Sequence, residues 1–188
     1  MKYDPQNAHR LDDATRATWN DPHEIVAACG IAPGSRVAEI GCGTGWFTFE
    51  IEKATRPRGM VYALDMQPAI LQILRAKCEN WERILTFLCG ENTFELDDSE
   101  IDVVFHANVL HECDVPETHL AETYRVLKSG GLLALIEWNW ADEESQPGPH
   151  NTTRIEPDEA RKLVEAAGFQ IEETRDVGLY HYLIKARK

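Results

Sequence analysis

Cations are scarce in this chain. Its 188 residues carry 19 Lys plus Arg against 32 Asp plus Glu, a formal charge of −13, which argues against the clustered positive charge needed to bind a phosphate backbone or an anionic membrane surface. Long apolar runs are missing too. Stretches such as Leu132 to Ile136 fall far short of the roughly 20 residues that span a bilayer, and the opening MKYDPQNAHRLDD has no apolar signal core. The five cysteines, Cys29, Cys42, Cys78, Cys89 and Cys113, include no CxxC pair. An odd, scattered set of this kind argues against a disulfide framework and a structural zinc site, and it suits the reducing cytoplasm. Repeats, low-complexity tracts and shifts of composition are also lacking, so residues 1–188 are expected to form one domain around one core.

What is present is an alternation of short apolar strands and helical patterns. Asp21-Pro22 is a capping residue followed by proline at the first helical position, and with Gly30 as a stop it predicts a helix over 22–29. Strands are predicted at 36–40, 60–64, 84–89, 101–105 and 132–138. The first runs into GCGTG and then into the helical spacing of Trp46, Phe47, Phe49, Ile51 and Ala54. Helices are predicted at 68–80, with Ile70, Leu71, Leu74 and Cys78 on one face, at 116–127, ended by Gly130-Gly131, and at 157–167. Two closing strands, 169–174 and 180–186, are joined by a link short enough to make them antiparallel. Nearly continuous apolar strands suit a sheet covered on both faces. The expected fold is therefore α/β and doubly wound, a mostly parallel seven-stranded sheet with an antiparallel last strand. Residues 139–156, NWADEESQPGPHNTTRIE, are too long for an ordinary connection and are expected to form a lid, with residues 1–21 as an N-terminal cap.

The sharpest motif is VAEIGCGTG, residues 37–45. Gly41, Gly43 and Gly45 let the backbone turn tightly and approach a ligand closely, at the strand edge where open α/β sheets bind ligands. Asp65 closes the next strand, where a carboxylate can accept hydrogen bonds from both ribose hydroxyls. A dinucleotide GxGxxG would need glycine at position 46, which Trp46 occupies; this disfavours an NAD-dependent oxidoreductase. Glu39 adds negative charge near the turn and favours a cationic ligand.

These segments together resemble the class I S-adenosylmethionine-dependent methyltransferases, a Rossmann-like family whose first motif is an acidic residue followed by GxGxG. The resemblance covers about residues 22–188. VYALDMQ is similar to the second-strand motif, GENTFELDDSEIDVVFHANVLHE to the adenine-binding segment and fourth strand, and LKSGGLLALIEW to the fifth-strand motif. It implies S-adenosylmethionine as cofactor, with Gly41, Cys42, Gly43 and Gly45 as a backbone cradle supported by Glu39. It further implies Asp65 on the ribose, Met66 packed on the adenine, Glu91 and Asn92 at the adenine edge, and the backbone carbonyl of His106 on the methionine ammonium. Asp is the commoner residue at position 91. RLDD, Trp19 and the ending GLYHYLIKARK resemble a small-molecule branch near the arsenite and ubiquinone/menaquinone methyltransferases; without a cysteine set for arsenic, arsenite is not the expected acceptor.

On the acceptor side the candidates are Asn108, His111 and Glu137. His111 either serves as a general base, its ordinary pKa lying near neutrality, or only shapes its loop. HECDV, residues 111–115, is not HExxH, so no metal site is expected. Trp138 and Trp140 either line an acceptor pocket or cover the edge of the core. The expected activity is methyl transfer to a small molecule; the alternative is a regulatory module that binds the cofactor without turnover.

Overall fold

The structure is a computed structural model that describes residues 3–141 and 146–188. Two 3-10 stretches, Pro5–Asp12 and Ala14–Thr18, precede α1 (Pro22–Cys29), β1 (Arg36–Ile40), α2 (Thr48–Thr55), β2 (Met60–Asp65), α3 (Pro68–Lys77), β3 (Ile84–Leu88) and β4 (Ile101–Ala107). Then follow α4 (Pro116–Val126), β5 (Leu127–Trp138), α5 (Pro157–Ala166), β6 (Gln170–Val177) and β7 (His181–Arg187). The seven strands lie in the order β3-β2-β1-β4-β5-β7-β6. Pairing is parallel from β3 to β5, and β7 runs antiparallel to both of its neighbours. This is the expected doubly wound α/β sheet with an antiparallel last strand.

Side-chain alternation along each strand sorts the core into two layers. Val37, Ala63, Val103, Phe105, Ala134 and Ile136 face α1, α2 and α3 through Ile25, Val26, Ile51, Leu71 and Leu74. Ala38, Tyr62, Leu64, Val104, Leu133 and Leu135 face α4 and α5 through Leu120, Val126, Ala160 and Val164. Both faces of the central strands are thus covered, which is why these strands read as apolar runs. β2 and β4 flank β1 on opposite sides, so the connections leaving the carboxyl ends of β1 and β4 diverge and open a crevice there. No helix among the described residues is long and apolar enough to cross a membrane.

Several boundaries depart from the sequence expectation, β6 for example running on to Val177 rather than 174. α3 stops at Lys77 rather than 80. More informative is Gly130-Gly131, which does not stop α4: the helix ends at Val126, and the glycines lie inside β5, where the register against β4 shifts between Ile101 and Val103. A Cβ on Gly131 would stand 2.8 Å from the Lys128 carbonyl oxygen, so only glycine permits the fold-back. The last helical carbonyls are met instead by the Lys188 ammonium, 2.7 Å from the Tyr124 oxygen and 2.6 Å from that of Leu127.

Asp21 caps α1 as its sequence implies, its Oδ1 accepting from the backbone N–H groups of His23 (2.8 Å) and Glu24 (3.4 Å). Asp21→Ala should lower stability by about 1 kcal/mol, read as a shift of the urea midpoint at unchanged slope; an unshifted midpoint would show that the cap contributes nothing.

Candidate functional site

The site grows from the turn after β1. Gly41, Gly43 and Gly45 all have positive φ, at 68°, 56° and 98°. At two of them space is also closed: a Cβ on Gly41 would come within 2.3 Å of Val109 Cγ2, beyond the end of β4, and one on Gly45 within 2.6 Å of Leu74 Cδ1 on α3. The loop is therefore pressed between the β4 connection and α3, with its remaining face toward the crevice. Cys42 N–H donates to the Leu64 carbonyl at 2.9 Å, tying the turn to β2.

Asp65 completes that tie. Its Oδ2 accepts from Gly43 N–H at 3.0 Å and its Oδ1 from Gln67 N–H at 2.9 Å, and the side chain borders the cavity while the residue keeps only 8% of its surface exposed. Burial raises its pKa above the usual carboxylate range, and the backbone donors of Gln67, Gly43 and Met66 hold the rise in check. The result is a carboxylate held by the backbone at the cavity wall.

The cavity has a volume of about 710 Å³, within the range of about 300–1,000 Å³ that small-ligand sites occupy. It brings together Gly41, Cys42, Gly43, Asp65, Met66 and Glu91 with Asn108 and His111. Four other expected residues are outside its wall. Glu39 is buried and accepts from the Thr48 hydroxyl at 2.6 Å, and burial pushes its pKa up to about 8, the Thr48 bond opposing and the Asp65 charge adding to the rise. It is therefore largely protonated near neutrality and supports the loop more than it supplies charge. Gly45 lies behind the loop, and Asn92 does not border the cavity. The His106 ring lies 2.7 Å from His119 Nε2 and does not border the cavity; burial, His119 and His111 keep its pKa well below normal.

On the acceptor side, Glu137 is fully buried and does not border the cavity, but is bonded to His111, which does. Of the two tryptophans, Trp138 lines the cavity, whereas Trp140 does not and is 56% exposed. From residues 139–156, Gln146, Pro147, Gly148 and Pro149 border it, and the Arg154 guanidinium fastens them by donating to the carbonyls of Pro147 and Pro149, both at 2.9 Å, and of Asn139. Residues 142–145 of the expected lid lie outside the described chain.

Sequence reasoning expected a cap from residues 1–21 but did not pick out which of its side chains face the cavity. Leu11, Asp13, Thr15, Arg16 and Trp19 all border the cavity from the two 3-10 stretches. The Arg16 guanidinium stands over the Trp46 ring at 4.6 Å and near Trp19 at 5.9 Å, and its hydrogen bond within the chain goes to the Leu11 carbonyl. Burial lowers its pKa to about 10, with Tyr3, Asp12 and Asp13 opposing, so it stays cationic. Asp13, between the two stretches, caps the second, its Oδ1 accepting from Thr15 N–H at 2.9 Å; nothing local announced where Arg16 would point.

A glycine turn at the switch point of a doubly wound sheet, facing a carboxylate at the end of the adjoining strand, defines the nucleoside-binding α/β class. Within that class, residues 38–135 match the model of the methyltransferase domain family, and the chain belongs to that family. The family and fold imply S-adenosylmethionine as cofactor. The chain is 32% identical over 124 residues to a malonyl-[acyl-carrier protein] O-methyltransferase of Serratia marcescens, covering 64% of this chain and 46% of that protein. It is 30% identical over 122 residues to a demethylmenaquinone methyltransferase of Tropheryma whipplei, covering 63% and 49%. It thus spans less than half the length of these curated relatives. A solved S-adenosylmethionine-dependent methyltransferase from Aquifex aeolicus aligns over 98% of both chains at 28% identity with a TM-score of 0.93.

The buried Glu39 gives a pH test. Its folded pKa lies above the unfolded value, so the protonated form stabilises the fold at low pH, and stability declines as pH rises from the unfolded pKa toward about 8. Glu39→Gln should flatten that decline, its advantage over wild type growing between about pH 5 and pH 8 in urea titrations; a constant difference would show that Glu39 is ionised throughout.

Proposed function

We propose that this protein transfers the methyl group of S-adenosylmethionine to a small-molecule acceptor. The observation that carries the reading is the Asp65 carboxylate, buried at the end of β2, bonded to the glycine turn and bordering the cavity. The bound cofactor supplies a methyl group already activated on a sulfonium.

This chain's residues bind and orient. Asp65 accepts from the ribose hydroxyls, and Met66 and Glu91 border the adenine. The turn through Gly41, Cys42 and Gly43 lies along the methionine part, and Arg16, which borders the cavity and stands over the Trp46 ring, pairs with its carboxylate. Glu39 and Gly45 act from behind the turn, Asn92 through the loop that presents Glu91, and His106 through its backbone. The segment before α1 and the loop after β5 form a cap and a lid of one domain and exclude water. Holding acceptor and methyl carbon in line in a dry chamber accounts for catalysis by proximity and orientation.

A module that only bound the cofactor would need no room for an acceptor, yet the cavity that the glycine turn borders is also lined by Trp19, Asn108, His111 and Trp138. The net charge of −13 favours a small acceptor over nucleic acid, and five free cysteines suit the cytoplasm.

Calorimetric titration with S-adenosylmethionine, with NAD as control, should show saturable binding of the former alone. Asp65→Ala should weaken it about 10- to 100-fold, the value of hydrogen bonds to a charged group. Unchanged affinity in the folded variant would show that the ribose lies elsewhere.

A further inference from the structure

His111 lies in a single 3-10 turn, Leu110–Glu112, just beyond β4. Its Nδ1 is 2.7 Å from Glu137 Oε2, and its backbone N–H donates to Glu137 Oε1 at 3.3 Å. Glu137 is wholly buried and its Oε2 also accepts from Trp138 N–H at 3.4 Å. The carboxylate oxygen facing Nδ1 is the acceptor of this contact, so in the neutral ring the proton sits on Nδ1 and Nε2 is the unprotonated nitrogen, on a residue that borders the cavity. Burial pulls the His111 pKa down, but the charge and hydrogen bond of Glu137 and the charge of Glu112 outweigh it, so the pKa is raised. The pKa of His106, on β4, is held well below normal by burial, His119 and His111.

The cavity that His111 borders also has aromatic walls. Trp19 and Trp138 both border the cavity, with ring centroids 5.6 Å apart. Alternation along β5 puts Glu137 on the α4 face of the sheet and Trp138 on the other, so imidazole and indoles approach the chamber from two sides. Asn108, also on the cavity wall, has a left-handed conformation, φ 59°, with Nδ2 3.3 Å from His181 Nε2 and with Oδ1 buried and unpartnered. A strained residue with an orphaned acceptor at a cavity wall is an arrangement waiting for a donor.

We propose that His111 is the general base of this site, positioned by Glu137, and that the acceptor is a flat ring bearing an ionisable hydroxyl, a phenol. The proposal rests on the methyltransferase reading and deepens it. In the transfer the phenolic oxygen forms the new bond to the methyl carbon, the carbon–sulfur bond breaks with its electron pair remaining on sulfur, and the phenolic proton passes to His111 Nε2 and then to water. Asn108 Oδ1 accepts from a second donor on the ring and sets its orientation.

The test uses the full chain, S-adenosylmethionine and two phenols: 4-cresol, whose hydroxyl titrates near pH 10 as tyrosine does, and 4-nitrophenol, largely ionised at about pH 8. Wild type should form S-adenosylhomocysteine with both. In His111→Gln the ratio of cresol to nitrophenol turnover should fall by about 10²-fold or more, since only cresol needs a base. The acid limb of the wild-type pH profile should lie above the ordinary histidine pKa and move to lower pH in Glu137→Gln, where burial is no longer outweighed. An NMR titration of His111 without any substrate should show the same raised pKa and the same downward move. Equal loss on both phenols, or a histidine pKa that Glu137→Gln leaves unmoved, would overturn the base assignment. Calorimetric binding of S-adenosylmethionine with neither phenol turned over would overturn the acceptor class alone, and absence of cofactor binding would fell the methyltransferase reading with it.

Discussion

The hydrogen bond from Gly43 N–H to Asp65 holds the site together, because it joins the turn leaving β1 to the end of β2 and settles both at once. Parallel strands offer no hairpin to register their ends, so the relation between two neighbouring connections has to be set by a contact of this kind. With the turn fixed, Gly41 meets Val109 beyond β4, and the loop carrying Asn108 and His111 takes its position from that approach. A side chain larger than hydrogen at Gly41 would force the two connections apart and open the crevice between them.

Buried carboxylates show how environment divides labour among identical groups. Glu39 is shielded from water and has a hydroxyl for a partner, so it favours its proton and acts as a neutral strut between β1 and α2. Asp65, met by backbone donors and bordering the cavity, is the better acceptor for a ligand. Glu137 has an imidazole against it and shapes the proton affinity of that ring. These differences follow from partners and depth, neither of which is visible in the letters D and E.

Much of the fold was legible because its signals are local: Asp21-Pro22 as a capped helix start, apolar runs with period-two or helical spacing, and glycines where a strand must turn into a helix. Gly130-Gly131 misled for the same reason, since a glycine pair after a helical pattern looks like a stop, whereas here it permits a bulge whose cause is pairing with β4 across the sheet. The cavity wall around the glycine turn was half legible. Gly41, Gly43 and Asp65 follow a spacing that reflects strand and turn length, but whether Glu39, Asn92 or His106 turns toward the cavity depends on neighbours distant in the chain.

By itself the sequence determined the alternating architecture, the sheet covered on both faces, the glycine turn and the acid at the end of the next strand, since hydrophobic period and backbone permissiveness act over a few residues. Only the tertiary structure decided that Trp138 lines the chamber while Trp140 does not, that Arg16 stacks on Trp46, and that His111 meets Glu137, 26 positions away. Those pairings come from the order in which strands lie in the sheet. That order is a property of the packed molecule, in which each contact is possible only because the others have brought its partners together.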